Sequence, residues 1–88
     1  MRLGLLLLLL ATPAAAAPPP GASSCSGCHG HPSGAVPSLS GHSAEDIAAS
    51  LAAFRSGARP ATVMNRIAKG FSESESRAIA DWIAGGGH

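Results

Sequence analysis

The sequence predicts an all-α fold, with short helices and loops wrapped around one covalently attached group. Three observations carry that prediction. Apolar residues recur at helical spacing in two stretches, 43–57 and 72–84, each opened by a serine, and no stretch reads convincingly as a strand. The chain has 88 residues and only Phe54, Phe71 and Trp82 as aromatics, so a staple, a metal or a cofactor is expected to complete its core. Residues 25–30 read C-S-G-C-H-G, two thiols three positions apart with an imidazole directly after them.

The elements follow in order. Met1-Arg2, an apolar run over 3–10 and the small residues that follow, four of them alanines at 14–17, have the layout of a secretory signal peptide. The run is too short to span a bilayer. Removal after Ala16 is expected, which predicts a signal peptide over 1–16, a periplasmic mature chain beginning near Ala17 and no stable membrane span. The quoted 45% hydrophobic content is therefore inflated by a segment that is discarded. Pro18-Pro19-Pro20-Gly21 makes 17–24 a stiff, proline-rich leader, so a helix carrying the cysteines starts only around residues 22–24 and is short.

Residues 30–42 form a Gly/Pro/Ser loop with two apolar anchors, Val36 and Leu39. The first strong helix begins at Ser43, with Asp46 in the acidic first turn; Ile47, Leu51 and Phe54 line one face, Ala48 and Ala52 fill it, and Gly57 ends it. Pro60 permits a new start, which predicts a short helix over 61–69 that Gly70 closes. The last helix is capped by Ser72 with Glu75 three residues on, runs to about Ala84, and is expected to turn Ala78, Ile79, Trp82 and Ile83 inward. Three glycines then predict a frayed, flexible tail over 85–88, which leaves 25–84 as the folded domain.

Charge excludes one class of partner. Once Arg2 is set aside, Arg55, Arg59, Arg66, Lys69 and Arg77 balance Glu45, Asp46, Glu73, Glu75 and Asp81, and no basic face argues for nucleic acid.

The C-S-G-C-H motif has few uses, and the most specific is attachment of c-type haem. Cys25 and Cys28 lie about one helical turn apart, so both sulfurs can form thioether links to the two vinyl groups of one porphyrin. His29 is then brought under the ring as the proximal axial ligand of the iron. A carbonyl of the following loop, that of Pro37, is placed to accept from its other ring nitrogen and fix its orientation.

Three other uses stay open. A thioredoxin-type redox pair belongs to a strand-rich alternating fold. A zinc site needs two further ligands, and His31, His42 and His88 lack the paired spacing. A disulfide between the two cysteines would close only a tiny loop and constrain the unfolded chain little. A zinc or thiol-disulfide module would be colourless.

With Met1 removed, Met64 is the remaining methionine, and it lies between two helices where it can reach across to the iron. By elimination it is the expected distal ligand; gap-filling in a core is its competing role, and His42 is the rival ligand. His31 is too close to His29 to cross the ring, and His88 sits on the glycine tail. Ligation by His29 and Met64 leaves no open coordination position, so such an iron moves single electrons and binds no substrate. Trp82 and Phe54 are expected to pack against the porphyrin. Asn65 and Arg66 flank the ligand and face the haem edge, a partner or solvent.

With C-S-G-C-H-G, the loop P-S-L-S-G and a downstream methionine followed by an amphipathic helix, the region after the leader resembles a class I c-type cytochrome. More narrowly, L-A-A-F-R-S-G-A-R and T-V-M-N-R-I-A-K-G-F-S-E-S-E resemble the small cytochrome subunit of flavocytochrome c sulfide dehydrogenase, in one-haem form. The resemblance implies the class I fold, one covalent haem c on Cys25 and Cys28, and His29 and Met64 as axial ligands. It also implies a partner, a sulfide-oxidising flavoprotein subunit that carries FAD itself and passes electrons one at a time to the haem, with a further acceptor downstream. A free-standing soluble electron carrier is the alternative. Many class I members carry a longer helix ahead of the motif that crosses the C-terminal helix; here the leader is short.

Overall fold

Four helices follow one another in the computed structural model, which describes residues 4, 17–30 and 36–87: α1 (Ala22–His29), α2 (Ala44–Ser56), α3 (Met64–Ala68) and α4 (Glu73–Ala84). The fold is all-α, as the apolar periodicity predicts. The expected signal peptide over 1–16, together with His31 and His88, falls outside the described residues, Gly4 apart. No helix among the described residues is long and apolar enough to cross a membrane.

The two long helices start as their capping residues dictate. Ser43 Oγ accepts from the Asp46 amide at 3.1 Å, and Glu45 and Asp46 lie where the positive helix end favours acids. Ser72 and Glu75 form a reciprocal capping box: Ser72 Oγ accepts from the Glu75 amide at 3.2 Å, and Glu75 Oε1 from the Ser72 amide at 2.9 Å. Those bonds hold the exposed Glu75 carboxylate below its ordinary pKa.

Three expectations are corrected. The segment predicted as helix over 61–69 is helical only from Met64 to Ala68, because the β-branched pair Thr62-Val63 bends after Pro60 and offers no side-chain cap. Ala52 and Ala78 are exposed; Ser76, Ile79 and Ala80 form the buried face of α4, with Trp82 and Ile83 half-buried. The glycines after α4, expected as a loose tail, form a turn over 85–87. Gly86, at φ 90°, takes the left-handed cap, its amide bonds the Ile83 carbonyl at 3.0 Å, and the Gly87 amide bonds that of Trp82 at 2.9 Å. That is the Schellman pattern, which satisfies two carbonyls of the last turn.

The core is small: Ala22, Ile47, Leu51, Ala68, Ile79 and Ala80, with Cys25, Phe54, Met64, Phe71, Trp82 and Ile83 among the half-buried residues packed on it. α2 packs along α4 and also holds α3, whereas α1 rests on α4. Ala22 is fully buried at the start of α1, the helix that meets the C-terminal helix α4. α1 and α3 have no comparable packing on each other.

Candidate functional site

α1 places both cysteines and the histidine on a single element. Gly21 opens it at φ 84°, and the turn that precedes it is tied by the Ala22 amide to the Pro19 carbonyl at 3.0 Å. Both thiols are free; Cys25 is half-buried and Cys28 exposed. Burial pushes the Cys25 thiol up, with the neighbouring Cys28 adding to the effect against a backbone hydrogen bond that lowers it. No disulfide joins the pair.

His29 ends the helix, and its Nδ1 lies 2.7 Å from the Pro37 carbonyl oxygen. A carbonyl only accepts, so Nδ1 carries the hydrogen and the Nε2 lone pair is left free. The sequence expectation for Pro37 is met. Val36 and Leu39, the anchors of the loop, are half-buried, and Leu39 and Ser38 join Cys25, His29 and Ile83 around a pocket of about 70 Å³.

Met64 opens α3 and is half-buried against the core. The structure thus sets the two candidate axial ligands on two helices, α1 and α3, that lack extensive packing on one another. Beside Met64, Val63 and Ile67 are 59% and 39% exposed, large apolar side chains that the protein alone leaves uncovered. Asn65, the next residue, has a buried Oδ1 with no hydrogen-bond partner. His42, the rival ligand, is exposed in the turn before α2, its amide on the Leu39 carbonyl at 3.5 Å.

The chemistry of these donors fits a covalent haem: two free thiols one turn apart, an imidazole oriented with Nε2 open, and a thioether on another helix. The uncovered apolar side chains and the Asn65 oxygen lack a partner among the described residues. The 70 Å³ pocket itself is far below the roughly 300–1,000 Å³ of cofactor sites, so a macrocycle held by Cys25 and Cys28 would extend beyond it. A larger concavity, about 840 Å³, runs between α2 and α4 and is lined by small and charged residues such as Ala48, Ala52, Arg55 and Arg77. It holds no thiol, imidazole or thioether, and the chemistry decides for the smaller pocket. Among the described residues no three His, Cys, Asp or Glu side chains cluster as a metal site.

Phe54 and Trp82 make contacts of their own within the chain. Phe54, expected against a porphyrin, carries the Arg59 guanidinium over its ring at 4.7 Å. Trp82 is half-buried with Gly87 against its indole, where a β-carbon at 87 would come within 2.4 Å. One group of contacts was not anticipated: the Phe71 ring against Gly21, and Arg55 Nη1 donating to the Phe71 carbonyl at 3.3 Å. A glycine directly before a helix was the available signal. Its partner fifty positions away was not legible.

No family model matches the chain. Over 63 residues it is 44% identical to the cytochrome subunit of sulfide dehydrogenase from Chlorobaculum tepidum, an alignment that covers 68% of this chain and 57% of that relative. The chain resembles that cytochrome subunit and spans a little over half its length.

Proposed function

We propose that this chain is a periplasmic, one-haem c-type cytochrome that moves single electrons as the electron-accepting subunit of a flavin-dependent sulfide dehydrogenase. The observation that carries the proposal is the arrangement on α1, where two free thiols precede an imidazole whose Nδ1 is committed to Pro37 and whose Nε2 is free. The 44% identity to a cytochrome subunit of sulfide dehydrogenase supports it independently.

When bound, the haem supplies a one-electron iron centre. Cys25 and Cys28 hold it by adding S–H across its two vinyl groups, a reaction that needs reduced thiols and no oxidant. His29 Nε2 and Met64 Sδ supply the axial donors; the neutral pair raises the potential relative to two imidazoles and closes the iron to substrate. The partner is the FAD-containing flavoprotein subunit, which oxidises sulfide and hands over electrons one at a time, and the onward acceptor takes them from this chain. Residues 1–16 direct export and are removed.

A free-standing carrier is the second reading. Arg66 and Lys69 are exposed beside the ligand segment, and the ion pair among the described residues is elsewhere, Arg77 to Asp81 on α4 at 3.3 Å. Unpaired surface cations suit brief, steered encounters. Coexpression with a flavoprotein subunit of a sulfide dehydrogenase separates the readings: a stable, sulfide-reducible complex supports the subunit role, and a haem protein that remains alone supports the carrier.

A further inference from the structure

We propose that Arg55, Phe71 and Gly21 form a latch that governs how firmly Met64 is held on the iron, and so act as positioning residues for the distal ligand. The inference rests on the reading of Met64 as that ligand. Its basis is that the thiols and His29 sit on α1, Met64 sits on α3, and these helices do not pack substantially on each other. Something else must set their separation.

Phe71 stands in the turn between α3 and α4 and touches both sides of that gap. Its backbone is tied to α2, the helix on which α3 packs: Arg55 Nη1 donates to the Phe71 carbonyl at 3.3 Å in a half-buried setting, while the Phe71 amide bonds the Ala68 carbonyl at the end of α3 at 3.3 Å. Its ring is tied to α1. A β-carbon at residue 21 would lie 2.6 Å from both Cε1 and Cζ of Phe71, so the ring seats against the bare α-carbon of Gly21, immediately before the fully buried Ala22. Gly21 also has φ 84°, a second reason for glycine there.

Arg55 makes no ion pair among the described residues. Its charge serves a neutral backbone carbonyl, and a charge-assisted bond of this kind is stronger than a neutral one. Releasing it loosens the turn that follows α3, which still packs on α2, and lets the Phe71 ring shift on Gly21, so that the spacing of α3 from α1 is less firmly set. Exogenous ligands then compete more easily for the position that Met64 holds.

The test is an imidazole titration of the haem-loaded ferric protein at fixed pH, following loss of the weak red-edge charge-transfer band that reports methionine sulfur on iron. Arg55→Met is expected to bind imidazole on the order of tenfold more tightly than the wild type. Arg55→Lys, which keeps a charged donor, should fall between them, and Gly21→Ala should shift in the same direction as Arg55→Met. Arg77→Met, which breaks an exposed pair on α4, should leave the affinity unchanged. Where Arg55→Met does not accumulate, Arg55→Gln takes its place under the same criterion.

Unchanged imidazole affinity in the Arg55 and Gly21 variants, even with lowered melting temperatures, would overturn the latch and leave Met64 as the ligand. A wild-type protein with covalent haem but no sulfur band would overturn the ligand reading, and the latch with it.

Discussion

His29 shows how one contact selects the chemistry of a side chain. With Nδ1 donating to Pro37, the imidazole is fixed in the tautomer that presents Nε2 as a ligand, and the ring cannot swing without losing a 2.7 Å bond. Met64 is the matching residue on α3. Met64→Ala in the haem-loaded protein is expected to abolish the sulfur band and lower the reduction potential, measured by redox titration, because a neutral soft donor is replaced by water or a harder one. His42→Ala should change neither, since His42 is exposed in its turn. At this scale the sequence was most explicit: motif spacing and elimination single out Cys25, Cys28, His29, the Pro37 carbonyl and Met64, and of these expectations the structure shows the contact between His29 and Pro37. Asn65 was less legible. Its neighbour was singled out, but a buried orphan oxygen depends on how α3 lies on α2, which spacing does not encode.

The helices were legible where local chemistry decides and obscure where packing does. Ser43 and Ser72 fixed the starts of α2 and α4, since a serine oxygen three residues ahead of a free amide is a local bond. Ser72→Ala is expected to cost about 1 kcal/mol, read by thermal or denaturant unfolding of the holoprotein. Glu75 adds a pH signature. Its folded pKa lies below the unfolded one, so its contribution is present above the ordinary glutamate range and is lost as pH falls through the folded value. Stability curves of wild type and Glu75→Gln should therefore converge as the pH is lowered below about 4.

Other features of the elements depended on distant partners. The faces of Ala52 and Ala78 were misjudged because alanine is compatible with either side of a helix, and only the seating of α4 on α2 chooses. Ile79, 1% exposed, shows which face won, and Ile79→Ala is expected to cost roughly 2–5 kcal/mol in the same unfolding assay. The cap at 85–87 was hidden by composition, since three glycines read equally as a loose tail or as a Schellman turn. The hydrogen bonds from Gly86 and Gly87 decide it.

For the whole molecule, the decisive property is that the protein alone closes only a small core. Among the described residues six are buried in it, five of them alanine or isoleucine, while Val63 and Ile67 stay exposed beside Met64. The proposed covalent macrocycle would supply apolar mass to complete this core. The account therefore makes haem attachment a condition of folding as well as of electron transfer. Expressed with the periplasmic haem-attachment machinery, Cys25→Ala/Cys28→Ala should yield little folded protein, judged by helical circular dichroism of the purified chain.

The most direct test is the reduced-minus-oxidised absorption spectrum of the exported protein after denaturation and acid–acetone extraction, with intact mass measured in parallel. The account predicts one haem per chain that resists extraction, a low-spin c-type spectrum in the native protein, and a mass equal to the mature polypeptide plus one haem. A correctly exported, colourless chain with two free thiols or a single disulfide would contradict it, and would return Cys25 and Cys28 to metal or thiol chemistry.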